Sequence, residues 1–101
     1  MSVAYLVGTQ GLVAGTRFAI DKDEIVVGRE RGNDITIEDT TVSRRHLRIE
    51  KQSQTRIVLF DEGSANGVFV NDVRVKQIRL QDGDVIKVGD NVFLVDRKDA
   101  S

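Results

Sequence analysis

Residues 26–48 contain five arginines, no lysine, a serine and the only histidine of the chain. The arginines are Arg29, Arg31, Arg44, Arg45 and Arg48. A guanidinium presents its N–H donors in a planar fork that suits bidentate binding of phosphate or carboxylate. Ser43 adds a hydroxyl directly before Arg44. We therefore predict that Arg29 and Ser43 lie on neighbouring loops and bind a phosphate group, and that the rest of the chain positions those loops.

Composition narrows the classes of protein that need to be considered. The chain has 101 residues, of which 40% are hydrophobic and 31% are charged, which is typical of one globular domain. The net charge of -1 provides no general attraction to nucleic acid or membranes, so an anion site has to be local. The absence of cysteine excludes disulfides, and a single histidine argues against a zinc site. We expect no metal, no cofactor, no signal peptide, no membrane helix and a cytoplasmic location.

The apolar runs are short, rich in β-branched residues and bounded by glycine, aspartate or asparagine, which is typical of an all-β sandwich or barrel. Residues 11–15 form a stretch bracketed by glycines, which we interpret as a loop. Gly89-Asp90-Asn91 has the composition of a hairpin turn. No segment has a 3.6-residue apolar period, so we expect little or no helix. The predicted strands are 4–7, 17–20, 24–27, 35–37, 47–50, 56–60, 68–70, 73–75, 78–80, 85–88 and 92–95.

Several short motifs, taken in order, resemble those of the forkhead-associated (FHA) domain, a module that binds phosphothreonine. The matching positions are Gly15-x-x-Phe18-x-Ile20, Gly28-Arg29, Ser43 with His46, Ser64-Ala65-Asn66-Gly67, and Leu80-x-x-Gly83-Asp84-x-Ile86-x-Val88-Gly89. No single motif is specific, but their combined order and spacing are. The resemblance covers about residues 4–96, so we expect an FHA domain over 4–96 and short tails at 1–3 and 97–101.

The resemblance implies an FHA-like (SMAD/FHA-type) β-sandwich of about eleven short strands, which binds a phosphothreonine peptide through loops at one end. Arg29 would pair with the phosphate, and Ser43 would donate its hydroxyl to it. Arg44 would contact the phosphate through its backbone amide, and its side chain is a second possible contact. Asn66 would hydrogen-bond to the peptide backbone. The resemblance gives structural roles to Gly28, His46 and Gly67, with His46 holding the binding loops.

Other residues of these loops are candidates for contacts that select the peptide. Arg31, Asn33 and Arg45 are possible specificity contacts. Ala65 is another, at a position where the family commonly has serine or threonine, so one hydroxyl contact near the phosphate is expected to be missing. We expect Glu38 and Asp39 to belong to a solvated loop.

These observations predict a monomeric domain that binds phosphothreonine-containing proteins downstream of a Ser/Thr kinase and has no catalytic activity. A phosphorylation-independent interaction or scaffold domain is the alternative. Ser43 and His46 could suggest a nucleophile and a base, but no G-x-S-x-G elbow is present. Nucleic-acid binding is disfavoured because acidic residues interleave with the arginines and no aromatic stacking platform is evident.

Overall fold

The computed structural model describes residues 2–99, which form two β-sheets packed face to face. The strands are β1 (Ser2–Gln10), β2 (Arg17–Ala19), β3 (Glu24–Gly28), β4 (Ile35–Thr36), β5 (Leu47–Lys51), β6 (Ile57–Asp61), β7 (Val68–Val70), β8 (Val73–Val75), β9 (Gln77–Arg79), β10 (Val85–Val88) and β11 (Asn91–Asp99). One sheet has six strands in the order β2-β1-β11-β10-β7-β8, and the other has five in the order β4-β3-β5-β6-β9. All strand pairings are antiparallel except that of β3 with β4.

The core lies between the sheets and is formed by alternate strand residues. In β5, Leu47 and Ile49 are buried while Arg48 is only half-buried, and in β10 Ile86 and Val88 alternate with exposed Lys87. This period of two places every second side chain on the core face of the sheet. β3 differs because four consecutive residues are buried, as expected for a strand covered on both faces.

The structure confirms the predicted all-β fold. Strand order and number agree with the sequence interpretation, and most boundaries agree within one or two residues. A three-residue 3₁₀ helix, Gly11–Val13, occupies part of the stretch interpreted as a loop. None of the helices within residues 2–99 is long or apolar enough to cross a membrane.

The two terminal strands are longer than predicted. Ser2 pairs with Asp99, Val3 with Lys98 and Ala4 with Arg97, so the sheet continues into segments that were expected to be tails. Sequence patterning missed this extension because Arg97, Lys98 and Asp99 are polar, and backbone pairing at a sheet end does not need apolar side chains. Residues 1, 100 and 101 of the expected tails lie outside the described residues.

The loops of interest lie together at the other end of this β1–β11 ladder. The residues that follow β1 contact the β10–β11 turn, since the Leu12 amide donates to Asn91 Oδ1 at 2.8 Å. That turn contacts the β4–β5 loop, because the Asp90 amide donates to Thr41 Oγ1 at 3.1 Å. The β3–β4, β4–β5 and β6–β7 loops therefore share one end of the sandwich, about 27 Å along β1 from Ser2.

Candidate anion-binding site

The end of β3 is in direct contact with the segment 43–46. The Arg29 amide donates to the Ser43 carbonyl at 2.9 Å, and the His46 amide donates to the Val27 carbonyl at 2.9 Å. Gly28 permits this approach, because a Cβ atom at that position would lie 2.1 Å from the Arg44 carbonyl oxygen. The structure therefore brings Arg29 and Ser43 together through backbone bonds that only glycine at position 28 can accommodate.

The Arg29 side chain is exposed but held at one point. Its Nε donates to the Val42 carbonyl at 3.1 Å, and the terminal nitrogens of the guanidinium have no protein partner within residues 2–99. An open depression of about 350 Å³ is lined by Arg29, Glu30 and Arg44. The guanidinium is thus oriented by the protein and still able to donate to an anion.

Ser43 and Arg44 supply two more donors. Ser43 Oγ accepts a hydrogen bond from the Ala65 amide at 3.0 Å, so its own hydroxyl hydrogen is available to a ligand. The Arg44 carbonyl accepts from the Glu30 amide at 3.1 Å and from Asn33 Nδ2 at 2.7 Å, but no protein acceptor within residues 2–99 contacts the Arg44 amide. The loop therefore presents a hydroxyl and a backbone N–H side by side.

His46 connects three loops from a fully buried position. Its Nδ1 accepts a hydrogen bond from the Ser43 amide at 3.0 Å, and its Nε2 lies 2.8 Å from the Gly67 carbonyl oxygen. An amide can only donate and a carbonyl can only accept, so the imidazole is neutral with its proton on Nε2. The ring thereby fixes both the Ser43 loop and the β6–β7 loop relative to β5.

Asn66 lies on the rim of the site. Its Nδ2 donates to the Thr41 carbonyl at 2.8 Å, which orients the amide while leaving Oδ1 accessible. Gly67 follows with a φ of 80°, a conformation that favours glycine. Asn66 is therefore held beside the donors of Ser43 and Arg44 by the β4–β5 loop.

Asp39 lies in the β4–β5 loop, as expected, but it is only partly exposed, and its hydrogen bonds give it a structural role that the sequence did not predict. Its Oδ1 accepts from the Thr41 amide at 2.9 Å and from Thr41 Oγ1 at 2.8 Å, and its Oδ2 accepts from Asn91 Nδ2 at 3.1 Å. The hydrogen bonds from Thr41, and more weakly that from Asn91, hold the pKa of the Asp39 carboxyl below its ordinary value. The carboxylate links the β4–β5 loop to the β10–β11 turn.

The four predicted specificity contacts differ in whether they lie beside the anion donors or bind other protein groups. Arg31 is exposed and pairs with Glu38 at 3.2 Å, while Arg45 pairs with Glu62 at 3.5 Å. Asn33 holds the Arg44 carbonyl, as described above. Ala65 is exposed beside Ser43. The structure therefore leaves Ala65 beside the anion donors and gives the other three residues protein partners.

The sequence did not reveal the residues whose hydrogen bonds hold the loops of the site in place. Asn91 is fully buried and joins Asp39 to the β10–β11 turn, but in the sequence it was interpreted only as part of that turn. Thr41 contacts Asp39, Asn66 and Asp90, and no local pattern marks it. Gly89 was a partial indication that another segment packs closely against this turn, because a Cβ atom at that position would lie 2.2 Å from Thr41 Oγ1.

The fold and these loops define a class of protein: a two-sheet β-sandwich that presents a guanidinium, a hydroxyl and a backbone amide together at one end. A phosphate group, with its three acceptor oxygens, matches that set of donors. The family model for the FHA domain matches residues 25–89, and the chain belongs to this family.

Three comparisons illustrate the relationship. The chain is 38% identical over 99 residues to an oxoglutarate dehydrogenase inhibitor of Corynebacterium jeikeium, covering 96% of this chain and 68% of the relative. It is similar to a solved FHA domain from a structural and functional analysis of phosphothreonine-dependent FHA domain interactions, with TM-score 0.88, 31% identity, and 97% and 99% of the two chains covered. It also resembles Mycobacterium tuberculosis EmbR in complex with a low-affinity phosphopeptide, with TM-score 0.87, 30% identity, and 98% and 25% covered.

The curated relatives are longer than this chain. The chain spans between 52% and 68% of the length of those it matches. The family assignment therefore describes a domain that the relatives carry within a longer polypeptide.

Proposed function

We propose that this domain binds a phosphothreonine-containing segment of a partner protein, with the phosphate between Arg29, Ser43 and Arg44. The observation that carries the proposal is that three donors on adjoining loops have no protein acceptor within residues 2–99. Arg29 offers its terminal guanidinium nitrogens, Ser43 its hydroxyl hydrogen and Arg44 its backbone N–H. Each of these residues is already held in place by a hydrogen bond through another of its own atoms. Ligand binding therefore costs little conformational entropy of the protein.

The charge of the ligand favours phosphate over a simple carboxylate. A phosphothreonine carries about -1.5 to -2 charges at pH 7 and three strong acceptor oxygens. Arg29 is not among the arginines that pair with a carboxylate in the described part of the chain, so its charge is available to the ligand. Because the whole chain has a net charge of -1, the electrostatic attraction for the phosphate comes from Arg29 locally.

Asn66 provides the contact that holds the peptide next to the phosphate. Its side-chain amide is oriented by Thr41 and retains an acceptor and one N–H for a peptide backbone. An extended peptide that crosses this rim would be bound mainly through its phosphate and its backbone. We expect a small, transient interface, below about 1,200 Å² in total.

The arrangement of Ser43 and His46 supports binding without catalysis. A base that activates Ser43 would need a free lone pair near Oγ. His46 Nδ1 instead accepts from the backbone amide of Ser43, and its Nε2 proton faces the Gly67 carbonyl. Both ring nitrogens are occupied in a fully buried position, so the pair acts as part of the loop framework.

The relatives support a role in regulation. They include an inhibitor of an enzyme and a protein solved with a phosphopeptide. By analogy, we propose that the domain acts in the cytoplasm as a monomer, downstream of a Ser/Thr kinase, and that its ligand is a protein rather than nucleic acid or a membrane.

The test is an NMR titration with a degenerate phosphothreonine peptide pool and with the unphosphorylated pool. We expect shifts of the amides near Arg29, Ser43 and Asn66 with the phosphorylated pool only. Arg29→Ala should weaken binding by about 2–5 kcal/mol, because it removes one member of a charge pair at a ligand site. Arg56→Ala is the matched control, since Arg56 is exposed on the β5–β6 loop and, among the described residues, its side chain hydrogen-bonds only to Gln52.

Equal affinity of the Arg29→Ala variant and the wild type would contradict the assignment of the phosphate site. Equal shifts with both peptide pools would instead support the phosphorylation-independent alternative. The control variant should bind as the wild type does, which separates a local contact from a change in net charge.

A further inference from the structure

A row of three side chains crosses the outer face of the six-stranded sheet next to the anion-binding loops. Phe69 of β7 pairs directly with Arg74 of β8 on one side and with Lys87 of β10 on the other. Directly opposed residues of antiparallel strands have Cβ atoms about 4.5–5.5 Å apart, so the ring lies between the two cations. We call Arg74, Phe69 and Lys87 the cationic row.

The charges of this row have no partner in the protein. Within residues 2–99, neither Arg74 nor Lys87 makes a side-chain hydrogen bond or an ion pair, and both residues are exposed. Five other cations of the domain do pair with carboxylates: Arg17, Lys22, Arg31, Arg45 and Arg48. Asp90 is an acidic residue that lines the same depression as Lys87 and Phe69.

The row is continuous with the proposed peptide path. Arg74 lies against Gly67, where an added Cβ would be 2.6 Å from Arg74 Nε, and Gly67 directly follows Asn66. A depression of about 230 Å³ connects Asn66 to the other end of the row. Its lining residues are Thr41, Asn66, Phe69, Lys87, Gly89 and Asp90.

The distance from the phosphate donors to the row limits which peptide residues can reach it. The Ala65 amide contacts Ser43 Oγ at 3.0 Å, and the chain from Ala65 to Phe69 spans at most about 14 Å. An extended peptide covers that distance in about four residues. Side chains further along the peptide lie beyond the row.

We propose that the cationic row selects phosphopeptides that carry aspartate or glutamate within about four residues of the phosphothreonine. The carboxylates pair with Arg74 and Lys87, and the methylene groups of the peptide side chain pack on the half-buried ring of Phe69. This inference rests on the proposed function, because the phosphate site sets the register of the peptide on the row.

The experiment measures the affinity of defined peptides by calorimetry. Each contains one phosphothreonine, flanked by alanines only, by aspartates at the second to fourth positions after it, or by aspartates at the second to fourth positions before it. We expect one of the two acidic peptides to bind about two- to tenfold more tightly than the alanine peptide, the range for one or two exposed ion pairs. The gain should shrink as the salt concentration rises.

Variants assign that gain to the row. Arg74→Gln with Lys87→Gln should abolish the preference for the acidic peptide and leave the affinity for the alanine peptide unchanged. Arg56→Gln with Lys98→Gln is the matched control, because it makes the same change in net charge elsewhere on the surface. Asp90→Asn should increase the preference, since it removes the carboxylate that lines the same depression as Lys87.

Two results would overturn the inference, and they differ from a failure of the proposed function. Equal affinities for the three phosphorylated peptides would show that the row does not select acidic residues. A preference that survives Arg74→Gln with Lys87→Gln would assign the selection to other residues. If phosphorylation had no effect on any of the three peptides, the proposed function itself would fail, and this inference with it.

Discussion

His46 shows how one buried side chain can hold two loops of the candidate site together. Its two ring nitrogens have opposite roles, an acceptor toward the Ser43 amide and a donor toward the Gly67 carbonyl. Ser43 and Gly67 lie on different loops, and the imidazole fixes the spacing between them.

We expect His46→Phe to destabilise the domain by about 2–6 kcal/mol and to weaken phosphopeptide binding. Phenylalanine retains an aromatic ring but leaves a buried N–H and a buried carbonyl unpaired, each costing about 1–3 kcal/mol. Urea unfolding measures the first effect and calorimetry the second. His46→Ala, which also creates a cavity, should be still less stable. An unchanged free energy of unfolding in His46→Phe would show that these hydrogen bonds contribute nothing net.

Among the structural elements, the β4–β5 loop depends most on a single carboxylate. Asp39 accepts three hydrogen bonds from Thr41 and Asn91, which favour its ionised form and lower its pKa. A group with a lowered pKa in the folded state stabilises the fold fully above its unfolded pKa, about 3.9 for aspartate. That contribution is lost as the pH falls below this value and through the folded pKa.

We therefore expect Asp39→Asn to flatten the acid side of the stability curve below about pH 4. Urea unfolding at several pH values would show a smaller loss of stability in the variant than in the wild type. Thr41→Val supplies the control for the cause, because it removes the hydroxyl donor but keeps the size of the side chain. In that variant the pKa of Asp39, measured by carboxyl NMR, should rise toward its ordinary value; an unchanged pKa would exclude the Thr41 hydroxyl as a cause.

Sequence patterns gave the elements of this fold better than they gave the contacts between loops. In short runs such as 47–51, the alternation of apolar and polar residues indicates directly which face of the strand is buried. The bonds that Asn91 makes to Asp39 and that Asp90 makes to Thr41 join positions about fifty residues apart. No local sequence pattern encodes such pairs, so the hydrogen bonds that hold the site loops can be identified only from the three-dimensional structure.

The candidate site was predictable to the extent that family motifs mark it. Gly28, Arg29, Ser43, His46 and Asn66 follow those motifs, and the structure brings all five to one end of the sandwich. Arg74 lies outside the motifs and Lys87 occupies a variable position within one of them, and nothing in a single sequence shows that they flank the same aromatic ring. Their proximity is a consequence of strand register.

For the molecule as a whole, the ladder between β1 and β11 is the longest pairing and joins the two ends of the described chain. We expect a chain ending at Asp96 to lose about 2 kcal/mol of stability. It would lose the backbone pairing of Ser2, Val3 and Ala4, and the hydrogen bond from the Arg97 amide to Asp82 Oδ1 at 2.8 Å, at about 0.5–1.5 kcal/mol for each hydrogen bond.

Thermal unfolding would measure the effect of this truncation. A full-length variant with Arg97, Lys98 and Asp99 replaced by alanine is the matched control, because it keeps the backbone ladder and changes only side chains. It should retain more stability than the truncated chain. Equal stability of the truncated chain and the wild type would support a domain boundary at residue 96.

The pairing of Ser2 with Asp99 also determines how this domain can be built into larger proteins. Polypeptide that enters at Ser2 and leaves at Asp99 does so at neighbouring points, about 27 Å along the sheet from the anion-binding loops. The domain can therefore be inserted into a surface loop of a host protein, with both junctions at the end of the sandwich where Ser2 pairs with Asp99. Its recognition loops would then project away from the host, unobstructed by the point of attachment.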